Sequence, residues 1–374
     1  MSYRTEGYNS MKWNWQLDKW PKFTYDSSII EDLEKEFLQA VGGFSAVLKL
    51  LEGEEKKRFI VEILCSEGLK SAEIEGEILK QDSLQSSIQR HFGFISDRKS
   101  IPLREEGIGE LMWNIYDSYK QPLTHSLLYD WHRLLMKNEY RISDIGKYRT
   151  HDEPMQIVSG RLDKRIVYFE APPSKNLKNE MNRFIKWFND SIREDSILAR
   201  AAIIHLYFES IHPFEDGNGR LGRALVEKAL SQSLKKPTLI AVSKIITKRK
   251  KEYYKALAQC NNTLNIDSWI KYFAKVIVDA QKESLKIINF LMAKSKLMNE
   301  LKNKINERQE KVLLRMFSEG IDGFSGGLSA DNYIAISKTT RATATRDLAD
   351  LVKKQALKKT GQLRYTRYWL NIDI

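Results

Sequence analysis

The stretch Ile211-His212-Pro213-Phe214-Glu215-Asp216-Gly217-Asn218-Gly219-Arg220-Leu221-Gly222-Arg223 decides how this chain is read. The residues before it, Arg200-Ala-Ala-Ile-Ile-His-Leu-Tyr-Phe-Glu209, are apolar around most of a helical surface, so that helix belongs in a core. It delivers His212 to its C-terminal end, where Pro213 cannot continue it and the imidazole faces the following loop. Gly217 and Gly219 permit backbone angles and close approaches denied to residues with a Cβ. Successive N–H groups there, at the start of the next helix from about Asn218, form a cradle for an anion. Asp216 offers Mg2+ a hard oxygen ligand. Arg220 and Arg223, three apart, share a helix face and can grip two phosphates bidentately. A base, a metal ligand, an anion cradle and two cationic clamps in one short loop read as phosphoryl or nucleotidyl transfer. Each feature alone is weak, since a histidine before proline is more often a helix end than a catalyst. The weight comes from eight specified residue types at fixed spacing.

Composition is consistent with this and excludes other classes. At about 100–200 residues per domain, 374 residues make two or three domains. Hydrophobic residues are 42% and charged residues 29%, as in globular proteins and unlike disordered chains. Two cysteines, Cys65 and Cys260, are too few for a disulfide scaffold or a cysteine-rich zinc site. No apolar run is long enough for a membrane span, and Met1 to Trp15 lacks the apolar core of a signal peptide, so a cytoplasmic location and no membrane partner are expected. The 61 basic and 49 acidic residues leave a net charge of +12, which admits nucleotide, nucleic acid or an acidic partner. Lys235 to Lys251 carries seven basic residues and no acid; it reads either as the rim of an anion site or as a solvated loop.

Outside the motif the periodicity is mainly helical. Ile30, Leu33, Phe37 and Val41 make one helical face, with Gly42-Gly43 as its stop. The aromatics between Trp13 and Tyr25 read as clamps onto a helical body. Residues 54–90 read as one or two helices, with Ile74, Ile78 and Leu79 on the apolar face, and 106–140 as a further helical stretch. Residues 155–159 and 165–170, parted by Gly160-Arg-Leu-Asp163, read as a β-hairpin. Helices are expected again at 177–189, 197–209, 250–260 and 266–305. His205, on the buried helix, is expected to be structural.

The last segment has its own pattern. Helices are expected at 309–317, at 328–336, and from Ser337 as N-cap to Leu351, followed by a small hairpin turning at Gly361. Three helices and a hairpin read as a winged helix-turn-helix, with Lys338, Thr339, Thr340, Arg341 and Arg346 facing outward for DNA. Its net charge from 306 to 374 is 12 − 8 = +4, so protein or oligomer contact is an equal reading.

The central stretch resembles the Fic-family signature, His-x-Phe-x-Asp/Glu-Gly-Asn-Gly-Arg-x-x-Arg, and matches it throughout. The resemblance implies an all-helical Fic core that moves AMP from ATP-Mg2+ onto a hydroxyl of a target protein or of the chain itself. It implies His212 as the base and Asp216 as the metal ligand. Gly217, Asn218, Gly219, Arg220 and Arg223 would hold the phosphates. The hairpin, with Val158, looks like the family's flap, and Tyr253, Tyr254 and Asn261 look like its nucleoside-side residues. Ser71-Ala-Glu-Ile74-Glu75-Gly76 resembles the inhibitory motif of Fic proteins in which a glutamate, here Glu75, pairs with the second arginine, here Arg223. The expected organisation is an N-terminal domain at 1–95 with the inhibitory helix, a catalytic domain at 96–295 and a winged helix at 296–374. Monomer and homodimer are both compatible with it. Two alternatives stand beside it: a nucleotide-sensing DNA-binding regulator, and the same fold removing AMP or transferring another nucleotide.

Overall fold

The structure, a computed structural model, describes residues 12–51, 53–94, 100–159, 166–193, 196–321 and 323–372. In chain order come α1 (Glu31–Leu50), α2 (Gly53–Ile74), α3 (Gln81–His91), α4 (Leu103–Asp117) and α5 (His125–Leu135), then the strands β1 (Gln156–Ser159) and β2 (Ile166–Glu170). These are followed by α6 (Leu177–Asp190), α7 (Ile197–Ile211), α8 (Asn218–Leu234), α9 (Val242–Lys248), α10 (Lys250–Ala258) and α11 (Asp267–Leu301). The chain closes with α12 (Glu307–Ser318), α13 (Ala330–Ser337), α14 (Arg341–Lys353), β3 (Leu357–Thr360) and β4 (Arg367–Leu370). It forms two compact units, 1–282 and 283–374. Among the described residues no helix is long and apolar enough to cross a membrane.

In the first unit α7 is the central helix that its composition requires. Leu198, Ala201, Ala202 and Leu206 pack with Val226 and Leu230 of α8 and with Trp269, Phe273 and Ile277 of α11. Ser196 caps α7 by accepting from the Ala199 N–H. The Glu34 carboxylate of α1 accepts from the N–H groups of Ile197 and Leu198, placing an acid where the helix dipole is positive. The helix ends where His212 turns into the left-handed region (φ 49°, ψ 60°) before Pro213.

The aromatic opening is a clamp, as expected. Trp13 meets Phe169 edge-on, and Trp20 meets Tyr207. Buried Asn14 donates to Ser210 Oγ (2.9 Å) and to the Cys260 carbonyl (3.1 Å). The hairpin is antiparallel, pairing Ile157 with Phe169 and Val158 with Val167, with a bulge between Ile157 and Val158. Its expected turn, Gly160 to Asp163, lies outside the described residues.

Several elements differ from the sequence reading. Helix α1 runs through Gly42-Gly43: each glycine costs about 1 kcal/mol in a helix but does not forbid one, and neither has positive φ. The 106–140 stretch is two helices, α4 and α5, parted around Pro122. Ile78 lies beyond the end of α2 and is 94% exposed, so it belongs to no core face. Helix α9 was not expected, and α11 ends at Leu301, ahead of Asn303 with positive φ.

In the second unit α12, α13 and α14 enclose Val312, Leu313, Phe317, Tyr333, Leu348 and Leu351. Strands β3 and β4 pair Leu357 with Leu370 and Thr360 with Arg367, and Leu328 bridges to Tyr368. The N-cap of α14 is Thr340, which accepts from the Thr343 N–H. Ser337 instead ends α13, donating to the Tyr333 carbonyl, because Lys338 adopts positive φ and breaks the two helices apart.

Candidate active site

The loop between α7 and α8 is closed by one side chain. Asn218 Oδ1 accepts from the Phe214 N–H (2.9 Å), and its Nδ2 donates to the Phe214 carbonyl (2.8 Å). The Phe214 ring stacks on His132 of α5, centroids 4.2 Å apart and nearly parallel. The Gly146 N–H donates to His132 Nδ1 (2.9 Å), so Nε2 carries the proton and donates to the Asp216 carbonyl (3.2 Å). Burial holds this imidazole neutral, its pKa drawn down to about 4. Gly217 adopts positive φ (82°), and a Cβ there would lie 2.4 Å from the Met136 methyl; a Cβ on Gly219 would lie 2.4 Å from Glu75 Oε1, so the lack of one lets that carboxylate approach.

A cavity of 830 Å3 opens over this loop, a volume suited to a nucleotide-sized molecule. His212, Asp216, Gly217, Asn218 and Gly219 line its base. Ile157, Val158 and Tyr168 of the hairpin form one wall, and Tyr253, Tyr254 and Asn261 another. Glu75 also lines it. The first N–H groups of α8 have no partner within their own helix and open at this end.

His212 is held by its backbone. Arg149 Nε donates to the His212 carbonyl (2.9 Å), a second guanidinium nitrogen donates to the Pro172 carbonyl (2.5 Å), and the Arg149 N–H donates to the Pro213 carbonyl (3.0 Å). One buried cation thereby ties the histidine to the end of the hairpin. Burial, helped by the Arg149 charge, lowers the His212 pKa to about 4, so the imidazole is neutral and able to accept a proton at pH 7. Glu209, one turn earlier on α7, places Oε2 3.7 Å from His212 Nδ1. Burial, reinforced by the charge of Glu75, pushes Glu209 up to about 8. Sequence reasoning placed no acid beside His212; the signal was the i, i+3 spacing of Glu209 and His212.

Both arginines are occupied. Arg223 donates to Ser71 Oγ (3.0 Å), to the Ser71 carbonyl (2.9 Å) and to Glu75 Oε1 (2.8 Å). Arg220 donates to Glu77 Oε1 (2.8 Å) and lies 3.5 Å from Asp216 Oδ1. The arginine side chains are 1% and 5% exposed. Gly76 (φ 84°) makes this possible: it turns the chain just beyond α2, and the Glu77 N–H returns to the Ala72 carbonyl (3.0 Å). The three acids of the run therefore part ways, Glu73 to Lys70, Glu75 to Arg223 and Glu77 to Arg220. The role of Glu77 was missed, because spacing alone does not separate it from a solvent-facing carboxylate.

The remaining expected residues fall as follows. Tyr253 is buried, its hydroxyl 2.7 Å from His205 Nε2, while half-exposed Tyr254 faces the cavity. Asn261 donates to the Tyr168 carbonyl (2.8 Å), joining the two walls. His205 packs near-parallel against both Trp269 and Phe273 inside the core. No residue of 235–251 lines the cavity; Lys250 lies over the outer ring of Tyr254, and Arg249 pairs with Asp279 (2.9 Å). Among the described residues no three His, Cys, Asp or Glu side chains cluster as a metal site. Asp216, next to Gly217, offers a carboxylate beside the anion cradle that is not spent on Arg223 as Glu75 is. That donor set fits Mg2+ carried on a polyphosphate, since Mg2+ often takes one or two carboxylates and completes its shell with phosphate and water.

Comparison with known proteins agrees with this geometry. The Fic/DOC family model matches residues 122–230, and a domain of unknown function, DUF4172, matches residues 13–94. Protein adenylyltransferase fic-1 of Caenorhabditis elegans is 27% identical over 208 residues, 54% of this chain and 37% of that protein. Protein adenylyltransferase Fic of Drosophila erecta is 28% identical over 183 residues, 47% of this chain and 34% of that protein. The matches thus span little more than a third of these relatives. A Fic family protein from Desulfovibrio desulfuricans G20 superposes with a TM-score of 0.54 at 21% identity, covering 94% of this chain and 98% of that one, which establishes a shared fold. The motif, the geometry around it and the family match converge on one statement: residues 122–230 of this mainly helical chain are a Fic/DOC family domain.

Proposed function

We propose that this chain is a protein adenylyltransferase, moving AMP from ATP to a hydroxyl side chain of a protein, another or its own. The observation that carries the reading is the convergence of His212, Asp216 and the N-terminus of α8 around one cavity, with Arg220 and Arg223 on the first turns of the same helix, paired with Glu77 and with Glu75, which itself lines the cavity. The polyphosphate lies on the Gly217–Gly219 end of α8, with Arg220 and Arg223 gripping its outer phosphates. Asp216 would hold Mg2+, which neutralises charge on the phosphates. Neutral His212 takes the proton from the target hydroxyl. The oxygen attacks the α-phosphorus in line, the bond to the bridging oxygen breaks, and pyrophosphate leaves. Tyr254 and Asn261 bound the space for the nucleoside. The hairpin, with Ile157 and Val158 more than two-fifths exposed, offers the target a strand edge.

The same reading makes the described state an inhibited one. Glu75 and Glu77 occupy the arginines that the polyphosphate needs. The proposed division is an N-terminal part, 1–95, carrying this brake, a catalytic part, 96–295, and a C-terminal part, 296–374. The relatives' names, protein adenylyltransferase, support the activity.

The test is incorporation of α-labelled ATP into the protein and into a lysate, with GTP, CTP and UTP in parallel. Strong labelling in Glu75→Gly, weak labelling in wild type, and a loss of roughly 10²–10⁴-fold on adding His212→Ala are expected. Labelling that survives His212→Ala would remove the base assignment. Labelling by another nucleotide alone would change the donor.

A further inference from the structure

We infer that the second unit binds duplex DNA through the outer face of α14 and the β3–β4 hairpin, independently of the AMP-transfer reading. The argument is one of charge and shape. Residues 338–372 carry nine Lys and Arg against two acids, Asp347 and Asp350, and 351–372 contain no acid at all. Asp347 is buried, Asp350 is 40% exposed, and both are engaged by neighbouring side chains. Asp347 accepts from Arg308, Asn306 and the buried Tyr333 hydroxyl, and Asp350 from Gln309 and Lys354. Among the described residues of the segment only Lys354 is neutralised from within it, by Asp350, so its outer surface remains strongly cationic. Outside the segment, Asp331 of α13 pairs with Arg341. Both side chains of that pair are more than 70% exposed, and such a pair is worth at most about 1 kcal/mol, so a phosphate can displace it.

The shape fits the same partner. Helices α13 and α14 are joined by three residues, with Lys338 in the left-handed region and Thr340 capping α14, which is the helix-turn-helix arrangement. The exposed stripe of α14 is Arg341, Ala342, Thr345, Arg346, Ala349 and Lys353. Its small residues let the helix backbone approach closely while the cations reach outward. A helix about 10–12 Å across fits the B-form major groove, about 12 Å wide. On the hairpin, Lys358, Lys359 and Arg364 are exposed beside Leu363 and Tyr365, which are 93% and 64% exposed. Folding does not account for those two apolar side chains. At the edge of a groove they can pack on sugars or a base step. The large apolar side chains of this face are confined to the hairpin, Leu363 and Tyr365, and the α14 stripe has none, so an anionic bilayer would engage the hairpin and leave α14 unused. Double-stranded RNA hides its major groove from a helix.

The experiment is fluorescence anisotropy of a labelled 30-base-pair DNA duplex with the full chain, from 50 to 200 mM KCl. Matched double-stranded RNA and phosphatidylserine vesicles serve as competitors. Contact with five phosphates gives a log–log salt slope of about −4.5, a loss of roughly 500-fold over that range. Arg346→Ala/Lys358→Ala/Lys359→Ala, on exposed side chains, should reduce the slope by about 2.7 and leave the melting temperature unchanged. Lys19→Ala/Lys22→Ala/Lys178→Ala, the same charge removed from the first unit, should leave binding intact. The inference is overturned by the absence of binding at 50 mM KCl, by equal losses in the two triple variants, or by RNA or vesicles outcompeting DNA.

Discussion

Removing Glu75 and Glu77 separately and together dissects the brake. Each carboxylate makes one charge-assisted hydrogen bond to a nearly buried arginine, at 2.8 Å in both cases. Such a bond contributes about 1.5–3 kcal/mol, and 1.36 kcal/mol is a factor of ten, so losing it should release each arginine by roughly 10- to 150-fold. The two releases are not equivalent. Glu75 sits against Gly219 as well as on Arg223, so on the proposed reading it would block the polyphosphate even when Arg220 is free. Glu77→Ala alone should therefore raise AMP incorporation by no more than about threefold, Glu75→Gly by about 10- to 150-fold, and the double variant by about a further tenfold. The assay is initial-rate incorporation of α-labelled ATP, with ATP affinity measured by calorimetry in a His212→Ala background. A double variant within twofold of Glu75→Gly, or Glu77→Ala less active than wild type, would refute the second arm. Glu77 would then be aligning Arg220 for catalysis instead of withholding it.

Two further outcomes concern the scaffold. His132, His205 and His212 have pKa values of about 4, about 3 and about 4, drawn below the ordinary value chiefly by burial. Their contribution to stability is present above about 6.5 and is lost as pH falls towards 4. Burial raises Glu67 to about 7 and Glu209 to about 8, so their contribution is present at low pH and is lost as pH rises through 7 to 8. The melting temperature should peak near neutrality, at about pH 6–7, and fall on both sides; a steady rise from pH 7 to 5 would contradict this assignment of charges. Arg149→Met should lower stability by about 2–3 kcal/mol in urea titrations, since the buried carbonyls of His212 and Pro172 lose their donor. It should also lower incorporation in the Glu75→Gly background, and unchanged incorporation would show that the hairpin tie does not serve the site.

Much of the site was legible because its chemistry is local. His212 to Arg223 lie within one loop and the first two turns of α8, so spacing alone brings a base, an acid, two glycines and two arginines together. Glu75 was legible only through resemblance, and Glu77 not at all. Glu73, Glu75 and Glu77 look alike in sequence. What separates them is the positive φ of Gly76 and the position of α8 across from it. The buried role of His132 was equally hidden: a histidine on an amphipathic helix says nothing of the carbonyl 84 residues away to which it donates.

The same division runs through the fold. An apolar helix such as α7 declares its burial in composition, and alternation between 155 and 170 declares a hairpin, because both are properties of neighbouring residues. Helix stops were read less well. Gly42-Gly43 does not end α1, and Ser337 does not cap α14, since a marginal glycine cost or a competing cap is settled by the rest of the fold. Sequence by itself determined the helical class, the hairpin, the loop between α7 and α8 and the basic C-terminal segment. Tertiary structure alone decided which acid meets which arginine, that Arg149 holds His212, and that Asp347 of α14 points inward. Those are contacts between residues far apart in the chain, whose energies depend on distance and burial, and neither quantity is written in spacing.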